Sequence, residues 1–94
     1  MSYNLFINTT VAKKAIVSLL DKNGGVVDQA EADEPLTAIE NLLKKRSLKL
    51  ENLDEISSHP GPGSFTGLRI GAAVAGALNY ALGKKVKPPD LHYE

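Results

Sequence analysis

An α/β fold with a mixed sheet, strung in the order β-β-β-α-β-α, is what the sequence predicts, and three observations predict it. Short runs of β-branched and apolar residues fill the first third of the chain, and Asp21-Lys22-Asn23-Gly24-Gly25 places turn formers between two of them. A helical pattern with a proline in its first turn follows. A second helical stretch, almost free of charge, closes on a glycine.

Each element has its own signal. Leu5, Phe6 and Ile7 form a short run that ends at Asn8-Thr9-Thr10, and Val11 to Leu20 continues as a second strand. The glycines of the following turn can take positive φ, so Val26-Val27 returns as a third strand and at least one pairing is antiparallel. Asp33 or Glu34 is expected to cap the first helix, with Pro35 inside its first turn, where a missing amide donor costs nothing. Leu36, Ile39, Leu42 and Leu43 recur at helical spacing. Lys44, Lys45 and Arg46 crowd the far end, where cations favour the carbonyl pole of the helix dipole, and they are expected to be solvated. Leu48 to Leu53 leads into a brief strand at Glu55-Ile56-Ser57-Ser58. The second helix is expected from Phe65 to Leu82, with Gly83 in the left-handed position beyond its end.

Composition excludes several function classes. At 94 residues and 10.0 kDa the chain is a single domain with a marginal core. There is no cysteine, so disulfides, zinc-cysteine sites, iron-sulfur clusters and thiol catalysis are out, which fits a reducing cytosol. Two histidines, His59 and His92, cannot build a histidine-rich metal site. Eleven basic and eleven acidic residues cancel, leaving no overall field to attract nucleic acid or an anionic membrane. Tyr3 to Thr9 lacks the basic flank of a secretory signal, so the chain is expected to begin where the sequence does and to be cytoplasmic.

The second helix is the most informative stretch. From Leu68 to Leu82 its side chains are apolar or small all the way round, interrupted only by Arg69 and Asn79. A helix lying on a sheet needs one apolar face, not several. Gly67, Gly71 and Ala75 stand four apart, as do Ala72 and Gly76, and such stripes let another backbone come close. The stretch is too short and too interrupted for a bilayer span, so the expectation is one face on the sheet and another on a partner chain. Burying about 600 Å² of apolar surface there is worth up to roughly 15 kcal/mol before association entropy is subtracted.

Between the last strand and this helix lies His59-Pro60-Gly61-Pro62-Gly63-Ser64-Phe65-Thr66-Gly67-Leu68-Arg69. Strand-to-helix loops of this kind can hold an anion on free amides. The residues fit the known codes badly, since no lysine follows the last glycine and the glycines are too widely spaced for a dinucleotide fingerprint. Ser64 is not in a nucleophile elbow, and its only neighbouring base is His59, with no evident carboxylate to orient it. A structural role fits better: the prolines stiffen the turn, Ser64 or Thr66 caps the helix and Phe65 anchors it.

The eleven residues Gly61-Pro62-Gly63-Ser64-Phe65-Thr66-Gly67-Leu68-Arg69-Ile70-Gly71 resemble the signature of the TsaB (YeaZ) family, in the glycoprotease-like (peptidase M22-like) group. The order of elements from Leu5 to about Val86 agrees with the N-terminal lobe of that family. The resemblance implies an RNase H-like, actin-like ATPase lobe, with a short fifth strand entered at Lys84-Lys85-Val86 and interrupted by Pro88-Pro89. It implies a non-catalytic scaffold in tRNA threonylcarbamoyladenosine (t6A) modification, binding a TsaD-like ATPase through its two helices or, alone, a second copy of itself. The contact surface so implied is Gly67, Leu68, Gly71, Ala72, Ala75 and Leu78, with Leu42, Leu43 and Arg46 on the first helix. No cofactor, catalytic residue or metal is expected on this chain; ATP would sit on the partner, and tRNA would be met only indirectly. Asn8 stands where the family usually carries an aspartate, and an amide brings no negative charge to a phosphate-bound metal. A homodimeric interaction module, or a peptidase or nucleotide hydrolase using Ser64, are the alternatives. The second lobe of the family is absent from the sequence, which is either a piece of a longer chain or a naturally short form.

Overall fold

The computed structural model describes residues 3–10, 14–61 and 65–83. Among the described residues four strands and two helices run β1 (Tyr3–Asn8), β2 (Ala15–Leu20), β3 (Val26–Ala32), α1 (Pro35–Lys45), β4 (Leu53–Ser58) and α2 (Phe65–Ala81), with one 3₁₀ turn at Leu50–Asn52. The sheet order is β3-β2-β1-β4. β1 and β2 pair antiparallel, as do β2 and β3, whereas β4 returns parallel to β1 after the α1 crossover. The sheet is therefore mixed, in the predicted element order.

Local chemistry explains the turns. In the β2–β3 turn the Gly24 amide donates to the Asp21 carbonyl at 3.0 Å, and the amides of Asn23 and Gly25 donate to Asp21 Oδ1 at 2.9 and 2.8 Å. Gly24 holds φ +86°, which a glycine adopts without steric cost. β2 starts at Ala15, later than Val11, with residues 11–13 outside the described set. β3 runs past Val27 to Ala32, carried by pairing to β2 instead of by apolar content.

Strand alternation sends Leu5, Ile7, Val17, Leu19 and Ile56 to the face covered by both helices, where they meet Ala38, Ile39, Leu42, Leu43 and Ala75. α1 lies over β2 and β3, α2 over β1 and β4. On α1 the buried set is Ala38, Ile39, Leu42 and Leu43; Leu36, the second residue of the helix, stays exposed. Glu34 occupies the N-cap position with extended backbone but makes no side-chain cap bond, so Pro35, which has no amide to satisfy, is the part of that start signal the structure uses.

The end of α1 was not visible as a motif, since no glycine marks it. Ser47 takes φ +54°, its amide donates to the Lys44 carbonyl at 3.2 Å, and the Leu48 amide donates to the Leu43 carbonyl at 2.9 Å. This pair of bonds is a Schellman closure with a serine in the left-handed position, and Leu48 tucks against the core. The basic cluster also does more than face solvent. Lys45 Nζ lies 3.0 Å from Asp28 Oδ1 and Arg46 Nε 3.9 Å from Oδ2, which ties the end of α1 to β3. The Lys45 ammonium bond, then the Gln29 amide bond, hold the Asp28 carboxyl below its ordinary value.

Two outcomes follow. Ser47→Gly removes a left-handed L-residue and should raise unfolding free energy by about 0.5–1 kcal/mol in urea titration. Because the folded Asp28 value is lowered, its contribution is complete above the ordinary carboxylate value and fades as pH falls toward the lowered one. Asp28→Asn should therefore flatten the acid limb of the stability profile, measured by thermal melting against pH, and the difference should shrink in high salt.

Candidate functional site

The C-terminal ends of the parallel strands β1 and β4 lie side by side, and α2 starts above them. The His59 amide donates to the Ile7 carbonyl at 2.8 Å, which extends the pairing one residue beyond β4. Both strands then turn in the same way. The Thr10 amide and hydroxyl donate to Asn8 Oδ1 at 3.0 and 2.6 Å, and the Gly61 amide donates to His59 Nδ1 at 3.0 Å. Asn8 is thus committed to a turn. The His59 ring lies 5.9 Å from that of Phe6, tilted by 53°.

Thr9 joins this corner to α2. Its hydroxyl donates to the Gly67 carbonyl, in the first turn of the helix. One turn on, a Cβ built on Gly71 would stand 2.7 Å from Thr9 Oγ1 and 3.4 Å from Ser58 Cβ. The glycine is therefore required by the approach of the helix to its own sheet. Further along, Asn79 Nδ2 donates to the Ile56 carbonyl at 2.9 Å, which accounts for the one amide in an apolar helix.

This geometry sorts the expected contact surface into residues covered within the chain and residues left open. Gly67, Leu68, Gly71 and Ala75 are buried against the chain's own strands, and Leu42 and Leu43 fill the core under α1. A side chain already covered by its own sheet cannot be the face offered to a partner, so the small-residue stripe serves internal packing. Ala72 and Leu78 are half-buried at the flanks, and Arg46 is exposed beside Asp28. The outward side of α2 carries Arg69, Ile70, Ala73, Ala77, Tyr80 and Ala81. Ile70 is 44% and Tyr80 79% exposed, so the surplus apolar face exists on the side opposite to the glycines. The same periodicity could have located it, because residues 70, 73, 77 and 80 recur at helical spacing across from 68, 71 and 75. By contrast α1 turns Thr37, Glu40, Asn41 and Lys44 outward.

Of the signature loop, Gly61 is described with φ +110°, whereas Pro62, Gly63, Ser64 and the side chains of Phe65 and Thr66 lie outside the described residues, as does the expected fifth strand. The anticipated capping by Ser64 or Thr66 and anchoring by Phe65 fall there too. α2 ends at Ala81, with Gly83 at φ +75° donating its amide to the Tyr80 carbonyl at 2.9 Å, as expected of that glycine. Among the described residues no group of three or more acidic or histidine side chains is placed to hold a metal ion, and no helix is long and apolar enough to cross a membrane.

A mixed sheet with a parallel β1–β4 pair and a helix pinned over both strand ends is consistent with a glycoprotease-like α/β lobe of the RNase H-like kind. Residues 10–88 match the family model described as TsaD, tRNA N6-adenosine threonylcarbamoyltransferase. The chain belongs to this family, in its TsaB/YeaZ branch. It is 37% identical over 71 residues to the tRNA threonylcarbamoyladenosine biosynthesis protein TsaB of Buchnera aphidicola, covering 70% of this chain and 32% of that one. It is 38% identical over 69 residues to a tRNA N6-adenosine threonylcarbamoyltransferase of Chelativorans sp., covering 69% and 19%. YeaZ from Pseudomonas aeruginosa superposes with a TM-score of 0.71 at 27% identity, over 89% of this chain and 41% of that one. The chain thus spans less than half the length of each of these relatives.

Gly71→Ala should lower unfolding free energy by about 1–3 kcal/mol, the usual cost of an overpacked contact. In a double-mutant cycle measured by urea denaturation, Thr9→Ala should cost less in the Gly71→Ala background than alone, because it frees the space the new methyl needs.

Proposed function

We propose that the chain is a scaffold lobe in t6A biosynthesis, which carries out no bond chemistry itself and presents the outer face of α2 to a TsaD-like ATPase. The observation that carries this reading is the apolar stripe Ile70, Ala73, Ala77 and Tyr80, exposed on a helix whose other side is already consumed by the sheet. Surface helices of single domains ordinarily turn charges outward, as α1 does, and contiguous apolar exposure marks an interface. The names of the TsaB and threonylcarbamoyltransferase relatives support the pathway.

The scaffold role is supported at the strand ends. Asn8 supplies an amide where charge would be needed, and it is held in the turn by Thr10. His59 Nδ1 is occupied by the Gly61 amide, so that nitrogen has no lone pair left for taking a proton from a nucleophile. On this reading ATP is bound by the partner, tRNA is met through the complex, and the work is done in the cytoplasm. Binding energy acts by shifting the partner toward its competent state.

The test is a binding titration between the chain and a TsaD-like ATPase from the same cell, followed calorimetrically. Ile70→Glu with Ala77→Glu should weaken association by at least about 100-fold, the scale of losing central interface contacts, while thermal melting of the isolated chain stays close to the parent. Affinity that is unmoved by the pair would refute the interface. Loss of self-association without any binding to the ATPase would favour the homodimeric module instead.

A further inference from the structure

We propose that Asn23 is a site of spontaneous covalent modification, deamidation through a cyclic imide, and that Asp21 is the positioning residue that holds its rate down in the folded chain. Asn23 is the one asparagine of the sequence followed by glycine; Asn4, Asn8, Asn41, Asn52 and Asn79 are each followed by a residue with a side chain. A side chain at the following position crowds closure of the ring, and here there is none. Asn23 and Gly24 are both exposed, and no atom lies within 4 Å of where a Gly24 Cβ would stand. The turn itself brings this pair, because Gly24 holds φ +86° and an L-residue there would be strained.

The reaction uses only the chain and water. The Gly24 nitrogen gives up its hydrogen and bonds to Asn23 Cγ, while the Cγ–Nδ2 bond breaks and Nδ2 leaves as ammonia carrying that hydrogen. Water then opens the imide on either side. Cleavage of the new nitrogen–Cγ bond leaves aspartate. Cleavage of the bond between nitrogen and the main-chain carbonyl carbon of residue 23 leaves isoaspartate, whose chain runs on through Cβ and Cγ. Nothing is oxidised or reduced. Isoaspartate lengthens the main chain of the turn by a carbon atom, so the Gly24 amide and the Asp21 carbonyl no longer meet as they do now.

In the closed turn the attacking nitrogen is engaged. Gly24 donates its amide to the Asp21 carbonyl at 3.0 Å, Asp21 Oδ1 accepts from the amides of Asn23 and Gly25 at 2.9 and 2.8 Å, and the Asp21 amide donates to the Gly25 carbonyl at 2.9 Å. All of these bonds run to or from Asp21. Attack on Cγ therefore waits for the turn to open locally, and the rate follows the open fraction.

The folded 94-residue chain, held in warm, mildly alkaline buffer and followed by peptide mass spectrometry, tests the site. Asn23 should convert to a mixture of isoaspartate and aspartate while the other asparagines persist, the isoaspartate being identified by methyl transfer from S-adenosylmethionine with an isoaspartyl methyltransferase as reagent. Asp21→Ala should raise the rate about fivefold, the factor of one hydrogen bond's usual net worth, and Asp21→Asn, which keeps an acceptor oxygen, should stay near the parent. The chain unfolded in urea should react faster than the folded parent, whose Gly24 amide should be protected from hydrogen exchange. Asn23 left intact in the folded chain after the unfolded chain has converted, aspartate without isoaspartate, an Asp21→Ala chain that melts as a folded protein yet reacts at the parent's rate, or a Gly24 amide exchanging as fast as in urea would each overturn the proposal.

Discussion

The absence of a side chain at residue 71 sets the position of α2. A Cβ there would stand 2.7 Å from Thr9 Oγ1 and 3.4 Å from Ser58 Cβ, so the backbone of the helix rests directly on the side chains at the strand ends. The Thr9 hydroxyl bonds the Gly67 carbonyl from the same place, so one residue both occupies the space and links the two elements. Leu68 and Ala75, on the same side of the helix, are carried into the core by that approach. The side opposite is then turned to solvent, apolar residues included.

The two helices solve the same packing problem differently. α1 spends its apolar residues on the sheet and its charges outward, and Lys45 and Arg46 bind its end to Asp28 on β3. Its stability is internal to the chain. α2 has apolar residues on both sides and only Arg69 as a charged one, so burial by the sheet leaves Ile70 and Tyr80 uncovered. The scaffold role proposed above needs this kind of surface, and the strand ends beneath it use Asn8 and His59 to shape turns.

Much of this was legible in the sequence because it depends on local chemistry. The Asn-Gly-Gly turn, Pro35 at the start of α1 and Gly83 after α2 each act within a few residues, and each stands where expected. The excess apolar circumference of α2 was legible too, yet its orientation was not. Glycine at 67 and 71 signals close approach but does not say by whom, and the approaching group proved to be Thr9, separated by most of the chain. The Schellman end of α1 at Ser47 was hidden because serine carries no left-handed preference, and Asp28 was unremarked because its partners are brought to it only by the crossover.

The most direct test is to map the outward face of α2 in the assembled state by methyl NMR, adding a TsaD-like ATPase to the labelled chain. The account predicts that the methyls of Ile70, Ala73 and Ala77 shift or broaden together, while Leu36 on α1 and the buried Leu68 and Ala75 keep their folded positions. Unperturbed methyls at 70, 73 and 77 alongside demonstrable binding would contradict it, because the partner would then be covering some other part of the chain.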